Sequence, residues 1–243
     1  VIDKAVEIIK NSDRVTGFTG AGISVESGIP PFRGENGLWN RYDPIFLNIG
    51  YFKTYPLESW RLTKEIFFDF FGKARPNRGH TGLAKMEEDG YLDAIITQNI
   101  DNLHQEGGSK EVYEIHGNSR ELICVDCGNK VSLTEEHLNN LPPKCKKCGG
   151  LLRPDFVFFS EPLYEPDATK SFIEAEISDA FLVIGTTGEI MPASQIPIIA
   201  KNNGATIIEI NVKKSNYTDE ITDIFLNGKA TKLIDELVKA LQA

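Results

Sequence analysis

Apolar residues gather along this chain in short, nearly unbroken runs rich in Val, Ile and Phe, at 14–19, 92–97, 112–115, 180–184, 206–210 and 224–226. Runs of that length predict strands. Between several of them the spacing changes to the helical period, at 81–88, 168–177, 193–202 and 232–241, each bounded by Gly, Asn or Asp. The chain opens the same way, with Ile2, Val6 and Ile9 set among Asp3, Lys4, Glu7 and Lys10 over residues 2–11. Strand and helix in alternation predict an α/β protein whose parallel sheet is covered on both faces.

Two stretches break this rhythm. Residues 29–78 hold Pro30, Pro31, Gly34, Gly37, Pro44 and Pro56 ahead of an aromatic run, Ile66, Phe67, Phe68, Phe70 and Phe71. They are expected to form a loop leading into small helices. The aromatic run could line a pocket, but a helical stripe of this kind is more often core, and core is the expectation. Residues 118–153 carry the Pro142–Pro143 breaker and the basic Lys144, Lys146 and Lys147, and read as an inserted module.

Composition narrows the class. At 243 residues, 41% hydrophobic and 25% charged, the chain can bury a sizeable core. No apolar run approaches the roughly 20 residues that span a bilayer, and no basic-then-apolar segment stands at the start. A cytoplasmic location and no membrane partner are expected. The net charge of −9 argues against direct nucleic-acid binding and favours a basic peptide. All four cysteines, Cys124, Cys127, Cys145 and Cys148, fall in the inserted module as two C-x-x-C pairs. Two disulfides are the alternative, but the spacing matches a zinc ribbon, and four thiolates would fill a tetrahedral site with no room for water.

The candidate chemistry begins where the first strand ends, at Gly17-Phe18-Thr19-Gly20-Ala21-Gly22-Ile23-Ser24. Glycines between a strand and a helical turn let backbone approach a pyrophosphate, with free N–H groups to receive its charge. The dinucleotide fingerprint is incomplete, since Val25 stands three after Gly22 and no acidic residue closes a second strand about 20 residues on. The sequence then continues Ser24-Val25-Glu26-Ser27-Gly28-Ile29-Pro30-Pro31-Phe32-Arg33-Gly34. Here it resembles the sirtuin family, whose GAGxS loop runs into SGIPxFR. The likeness continues through Thr97-Gln98-Asn99-Ile100-Asp101-Asn102-Leu103-His104, His116-Gly117, the paired cysteines, Gly185-Thr186-Thr187, Pro192-Ala193 and Ile210-Asn211, over nearly the whole chain.

The resemblance implies a Rossmann-like NAD-binding domain from residues 1–28, 79–117 and 154–243, a cofactor loop with a small helical module at 29–78, and a zinc-ribbon module at 118–153. NAD would lie between the large and small domains, with an acyl-lysine peptide entering the same cleft. Gly20, Ala21 and Gly22 would hold the pyrophosphate, and Phe32 and Arg33 would sit in the cofactor loop. Gln98, Asn99, Ile100 and Asp101 would line the nicotinamide and ribose pocket, with Asn99 and Asp101 counted among the catalytic residues. Gly185, Thr186, Thr187 and Asn211 would meet the adenosine half, with Lys229 and Ala230 closing over adenine. Val157 and Phe159 would flank the acyl-lysine within 154–161, a segment that pairs with the substrate backbone as an added strand. His116 would be the general base, suited to neutral pH by its ordinary pKa near 6.5. Zinc would be structural.

Plainer readings stand beside these. His116 could merely cap a strand end before Gly117, and an Asn-x-Asp pair after a strand is a common helix cap. His80, His104 and His137 receive no catalytic role and are expected to be structural or solvated. The chain departs from the family at Ser160, where Gly is usual, at Gly188-Glu189 and at Lys213. No Tyr occurs in 57–73, where sirtuins that prefer acidic acyl groups carry a Tyr and an Arg, so Trp60, Leu62, Ile66 and Phe67 are expected to form an apolar acyl pocket. The expected reaction is NAD-dependent lysine deacylation. Its alternatives are mono-ADP-ribosyl transfer at the same site, or a zinc-ribbon module that binds nucleic acid or chromatin without catalysis.

Overall fold

The computed structural model describes residues 1–32 and 37–243, the side chain of Phe70 excepted. In chain order its elements are α1 (Ile2–Lys10), β1 (Val15–Thr19), α2 (Ile49–Thr54), α3 (Pro56–Thr63), α4 (Arg78–Glu88), β2 (Ala94–Thr97), α5 (Leu103–Glu106) and β3 (Val112–Glu114). Then come β4 (Gly117–Cys124), β5 (Lys130–Ser132), α6 (Glu135–Asn139), β6 (Leu152–Phe156), α7 (Asp167–Ile177) and β7 (Ala180–Ile184). The chain closes with α8 (Gln195–Asn202), β8 (Thr206–Asn211), β9 (Ile224–Asn227) and α9 (Ala230–Leu241). All six strands expected from the apolar runs are present, in one sheet of order β3-β2-β1-β7-β8-β9, every neighbouring pair parallel.

Side-chain alternation along these strands feeds two cores. Leu182, Ile184, Ile208 and Ile210 point to the face covered by α1, α4 and α9, where they meet Ala5, Leu83, Ile234 and Leu237. Phe181, Val183 and Ile207 point to the opposite face and pack on Ala175, Ile196 and Ala200 of α7 and α8. Both faces are therefore apolar, which is why the strands read as continuous rather than alternating runs. Helix α4 starts three residues before the expected position because Asn77 caps it. The Asn77 side chain accepts from the Gly79 N–H at 2.8 Å, while the Asn77 N–H donates to His80 Nδ1 at 3.2 Å.

Strand order reverses between β1 and β7. Sheets of this kind open a crevice at the carboxyl ends of the strands where the order reverses, and the glycine loop leaves β1 at that point. The crevice position follows from the topology alone.

The inserted residues form a separate three-stranded antiparallel sheet, β5-β4-β6. Its strands run through the expected edges at 118 and 153, since β4 begins at Gly117 and β6 ends at Phe156. A third core joins this sheet to the 29–78 stretch, where Trp60, Phe46, Phe52 and Phe67 pack with Leu122, Leu152, Phe156 and Phe158. Trp60 is fully buried and its Nε1–H donates to the Leu152 carbonyl at 2.8 Å. Among the described residues no helix is long and apolar enough to cross a membrane.

Candidate functional site

The loop after β1 turns at once into a 3-10 helix, Ala21–Ser27. Gly20 and Gly22 are forced by a neighbouring backbone. A Cβ on Gly20 would stand 2.9 Å from the Gly185 carbonyl oxygen, and one on Gly22 would stand 2.6 Å from Gly185 Cα. Gly185, itself at φ 62°, follows β7, so the two loops that border the crevice touch through backbone alone. The Gly22 N–H donates to the Gly185 carbonyl at 2.8 Å.

A hydrogen-bonded row crosses the carboxyl edge of the sheet. His116, two residues beyond β3, sets Nδ1 2.9 Å from the carbonyl oxygen of Gln98, after β2. The Gln98 Nε2–H donates to Thr186 Oγ1 at 3.0 Å, and the Asn211 Nδ2–H donates to the Thr186 carbonyl at 2.8 Å. A carbonyl can only accept, so the His116 proton sits on Nδ1 and Nε2 carries the lone pair. Burial pushes the His116 pKa below its ordinary value, outweighing the opposite pull of the Gln98 hydrogen bond. The imidazole is therefore neutral, with a basic Nε2, at neutral pH.

Asn99, Ile100 and Asp101 form the wall of a cavity of about 370 Å³ that also takes in Ala21 and Phe32. The Asn99 amide donates to the Gly20 carbonyl at 3.2 Å and to Ser24 Oγ at 3.3 Å. The Ser24 hydroxyl donates to Asp101 Oδ2 at 2.6 Å, and Asp101 Oδ1 accepts from the Leu103 N–H at 3.0 Å. Asp101, just before the N-cap Asn102 of α5, thus holds the first N–H of that helix and is a cavity-wall carboxyl as well. Burial raises its pKa, against the lowering by Ser24 and Leu103. The aromatic run divides between its two readings: Phe67 and Phe71 are buried in the third core, and with Phe68 they also form the far wall of this cavity.

The expected site residues thus fall into two groups. Ala21, Phe32, Asn99, Ile100 and Asp101 share the cavity, while Gln98, His116, Gly185, Thr186 and Asn211 follow the sheet edge. Thr187 is exposed beside Thr186, and its carbonyl accepts from the Asn216 N–H at 3.0 Å. Lys229 caps α9, with Ala230 as its first residue; the Lys229 ammonium lies 3.1 Å from Glu26, which Thr231 also binds. Arg33 lies outside the described residues. A second cavity, of about 580 Å³ between Val25, Tyr42 and Asp69, takes in Ile66 of the expected acyl pocket and none of the residues expected to meet the cofactor.

On the substrate side, most of the 154–161 segment already has backbone partners. Pro154–Phe156 belongs to β6, the Val157 N–H donates to the His116 carbonyl at 2.8 Å, and Phe159 pairs with residues 47 and 49. The Phe159 side chain stays exposed and Val157 is half-buried. Ser160 adopts φ 75°, which explains physically why glycine suits this place. Gly188, at φ 74°, lies against the Tyr217 ring, where a Cβ would come within 2.8 Å. Of the residues proposed for an acyl pocket, Trp60, Ile66 and Phe67 are buried in the third core and Leu62 packs against it.

The four cysteine sulfurs lie within 4.8 Å of one another, with contacts of 3.4, 3.5 and 3.8 Å. Those separations exceed a disulfide bond of about 2.05 Å and match the roughly 3.8 Å edge of a tetrahedron with zinc–sulfur bonds near 2.3 Å. Cys124 and Cys127 leave the end of β4, and Cys145 and Cys148 come from the turn before β6. The donor set fits a closed structural zinc site.

Sequence reasoning passed over Ser24, His80, Thr97 and His104 as site-supporting residues. His80 Nε2 lies 3.3 Å from Ser24 Oγ, and His104 Nε2 lies 2.8 Å from Thr19 Oγ1. The Asn77-x-x-His80 capping pattern was the one available sign that the His80 ring turns inward.

A glycine loop at a sheet's reversal point, with a neutral histidine and an Asn-x-Asp wall beside it, defines an α/β protein of the dinucleotide-binding type carrying a zinc-ribbon module. Residues 20–192 match the model of the Sir2 family. The chain belongs to that family. It is 40% identical over 243 residues to NAD-dependent protein deacetylase 1 of Pyrobaculum aerophilum, covering 99% of this chain and 95% of the relative. It is 41% identical to an NAD-dependent protein deacylase of Aeropyrum pernix, covering 98% and 96%. Among solved structures it is similar to a Sir2 homologue variant in complex with ADP-ribose, with a TM-score of 0.93, 40% identity and coverage of 99% and 96%. A Sir2–p53 peptide–NAD+ structure gives a TM-score of 0.90 at 33% identity, covering 98% of each chain.

Proposed function

We propose that this protein is an NAD-dependent protein-lysine deacylase that takes the acyl group from lysine onto ADP-ribose and releases nicotinamide. The observation that carries the reading is His116, neutral, with its proton fixed on Nδ1 by the Gln98 carbonyl and its basic Nε2 left available. The full-length relatives named as NAD-dependent deacylases support it, as do the neighbours solved with ADP-ribose and with peptide and NAD+.

When bound, NAD supplies a nicotinamide leaving group and a ribose that receives the acyl group. The chain's own residues would then act as follows. The Gly20–Gly22 loop, packed backbone to backbone on Gly185 and with its Gly20 and Gly22 N–H groups given to the Ile184 and Gly185 carbonyls, would seat the diphosphate at the start of the 3-10 helix. Asn99 and Asp101, held by Gly20, Ser24 and Leu103, fix the nicotinamide and ribose against Ile100. Thr186, Thr187 and Asn211 face the adenosine half, and Lys229 and Ala230 close its far end. His116 Nε2 takes the proton from a ribose hydroxyl. Val157 and Phe159 bracket the acyl-lysine, and the backbone from 157 to 160 aligns the peptide. Zinc holds the 118–153 module in shape and stands apart from the chemistry. We place the protein in the cytoplasm, where the four cysteines stay reduced and open to zinc.

Mass spectrometry of an acetyl-lysine peptide with NAD, beside a no-NAD control and His116→Ala, tests the reading. Deacetylation that needs NAD, yields O-acetyl-ADP-ribose and vanishes in the variant is the expected result. ADP-ribose attached to protein, with no acyl peptide of any chain length consumed, overturns it in favour of mono-ADP-ribosyl transfer.

A further inference from the structure

His104 is buried, carries no role in the reaction above, and lies behind the cavity wall. Its Nε2 stands 2.8 Å from Thr19 Oγ1, and the Thr19 hydroxyl donates to Thr97 Oγ1 at 2.8 Å. Thr97 Oγ1 in turn accepts the backbone N–H of Asn99 at 3.1 Å. Four groups therefore form one line that ends on the backbone of a cavity residue. We propose that His104 is a positioning residue for the Asn99-Ile100-Asp101 wall, acting through the Thr19–Thr97 hydroxyl relay.

The register of the sheet builds the relay. Thr19 and Thr97 are paired partners on adjacent parallel strands, so their side chains leave the sheet on the same face and their hydroxyls meet. Both lie at the last position of their strands, where the chain turns into the glycine loop on one side and the Gln98–Asn102 loop on the other. The Thr19 hydroxyl has one proton and gives it to Thr97, so it accepts from His104. His104 then carries its proton on Nε2. The opposite proton order would bury an N–H at Nδ1, which has no partner among the described groups, and buried orphan donors are the rarer case.

Position is what this arrangement supplies. Gln98 is held from the same direction, its N–H donating to the Thr19 carbonyl at 3.0 Å. The wall's side chains are fixed from the other side by Ser24, which receives His80 Nε2 at 3.3 Å and binds Asn99 and Asp101. The His80 and His104 rings meet edge to face with centroids 5.1 Å apart. Two neutral imidazoles thus brace one short loop, His80 through its side chains and His104 through its backbone. Valine at Thr97 would pack as well but would leave the Asn99 N–H without its acceptor, and leucine at His104 would take away the donor that fixes the direction of the Thr19 hydroxyl.

Amide hydrogen exchange at Asn99 reads the relay directly and needs no turnover. Thr97→Val and His104→Leu should each speed exchange at Asn99 at least tenfold while β1 and β7 amides keep their protection. His104→Gln, which can still donate from Nε2, should stay within about threefold of the wild type. The catalytic consequence rests on the deacylase reading: Thr97→Val and His104→Leu should lower kcat/KM for NAD by tenfold or more. The double variant should lose no more than either alone, because both cut one line. Should His104→Leu loosen the whole sheet evenly, or leave Asn99 protected, the relay is overturned and His104 is core. If the wild type consumes no acyl peptide, the deacylase reading fails while the exchange result still decides the relay.

Discussion

At the scale of single residues, backbone geometry and proton placement decide most of what this site can do. Ser160 holds a left-handed backbone that costs an L residue about 1 kcal/mol relative to glycine. Ser160→Gly should therefore stabilise the chain by about 1 kcal/mol, a rise of roughly 2–4 °C in melting temperature for a chain of this size, visible by scanning calorimetry. The nearby Asn48 side chain donates to Ser160 Oγ only at 3.4 Å, too long a bond to offset the gain. His116 makes a prediction about rate. Its pKa lies below 6.5 because burial disfavours the imidazolium, and the base works only when neutral. Falling pH should reduce kcat/KM only below pH 6.5, so a pH–rate profile whose acid limb falls above that point would remove His116 as the base.

At the scale of elements, the chain was legible wherever one physical signal dominated. Strands β1, β2, β7 and β8 are buried on both faces, and their apolar runs gave them away. The glycine loop and the cysteine pairs were legible because only glycine tolerates the Gly22–Gly185 contact and only closely spaced thiolates build that tetrahedron. The β4-β5-β6 sheet was not legible. Its strands alternate irregularly between buried and exposed positions, as in Gly117–Cys124, and its cohesion comes from the metal site and from Trp60, far away in sequence. The Thr19–Thr97–His104 line was equally hidden, since strand register, which no local pattern records, brings its members together. The ribbon carries its own prediction. Chelating zinc, or replacing Cys145 with Ser, should expose Trp60 and open residues 118–153 to protease while the six-stranded sheet keeps its circular dichroism. Intact protease resistance after complete zinc loss would show that the third core alone holds the module.

For the whole molecule, buried neutral histidines couple stability to pH. Burial lowers His80 to about 4 and His104 to about 3. Unfolding returns both to about 6.5, so near pH 5 these two side chains bind about two more protons in the unfolded chain than in the folded one, and His116, lowered by burial too, adds in the same sense. Stability is then complete above pH 6.5 and falls as pH falls, by about 2.7 kcal/mol per unit for two protons. Asp101, whose pKa burial raises, works in the opposite sense by up to one proton. His104→Gln removes one histidine from this balance, and the slope of unfolding free energy against pH between 5 and 6 should drop by about 1.4 kcal/mol per unit. Urea titrations at several pH values measure that slope; an unchanged slope would mean His104 is charged in the folded chain.

The small sheet leaves the large one along β4 and returns along β6, and these two strands are each other's antiparallel neighbours, with Gly117 opposite Phe156. Entry and exit of the intervening chain therefore sit side by side on one rung, pinned by Arg120 to Glu114 and by Lys130 to Asp155. Such a rung is a socket. A foreign hairpin grafted between its two rails would have to keep their register, together with Leu122 and Leu152 against Trp60, and with Ser119, Arg120 and Leu133 along the cavity. For protein engineers the exposed end of the ribbon, away from those residues, is the place to add a sensor or an affinity module.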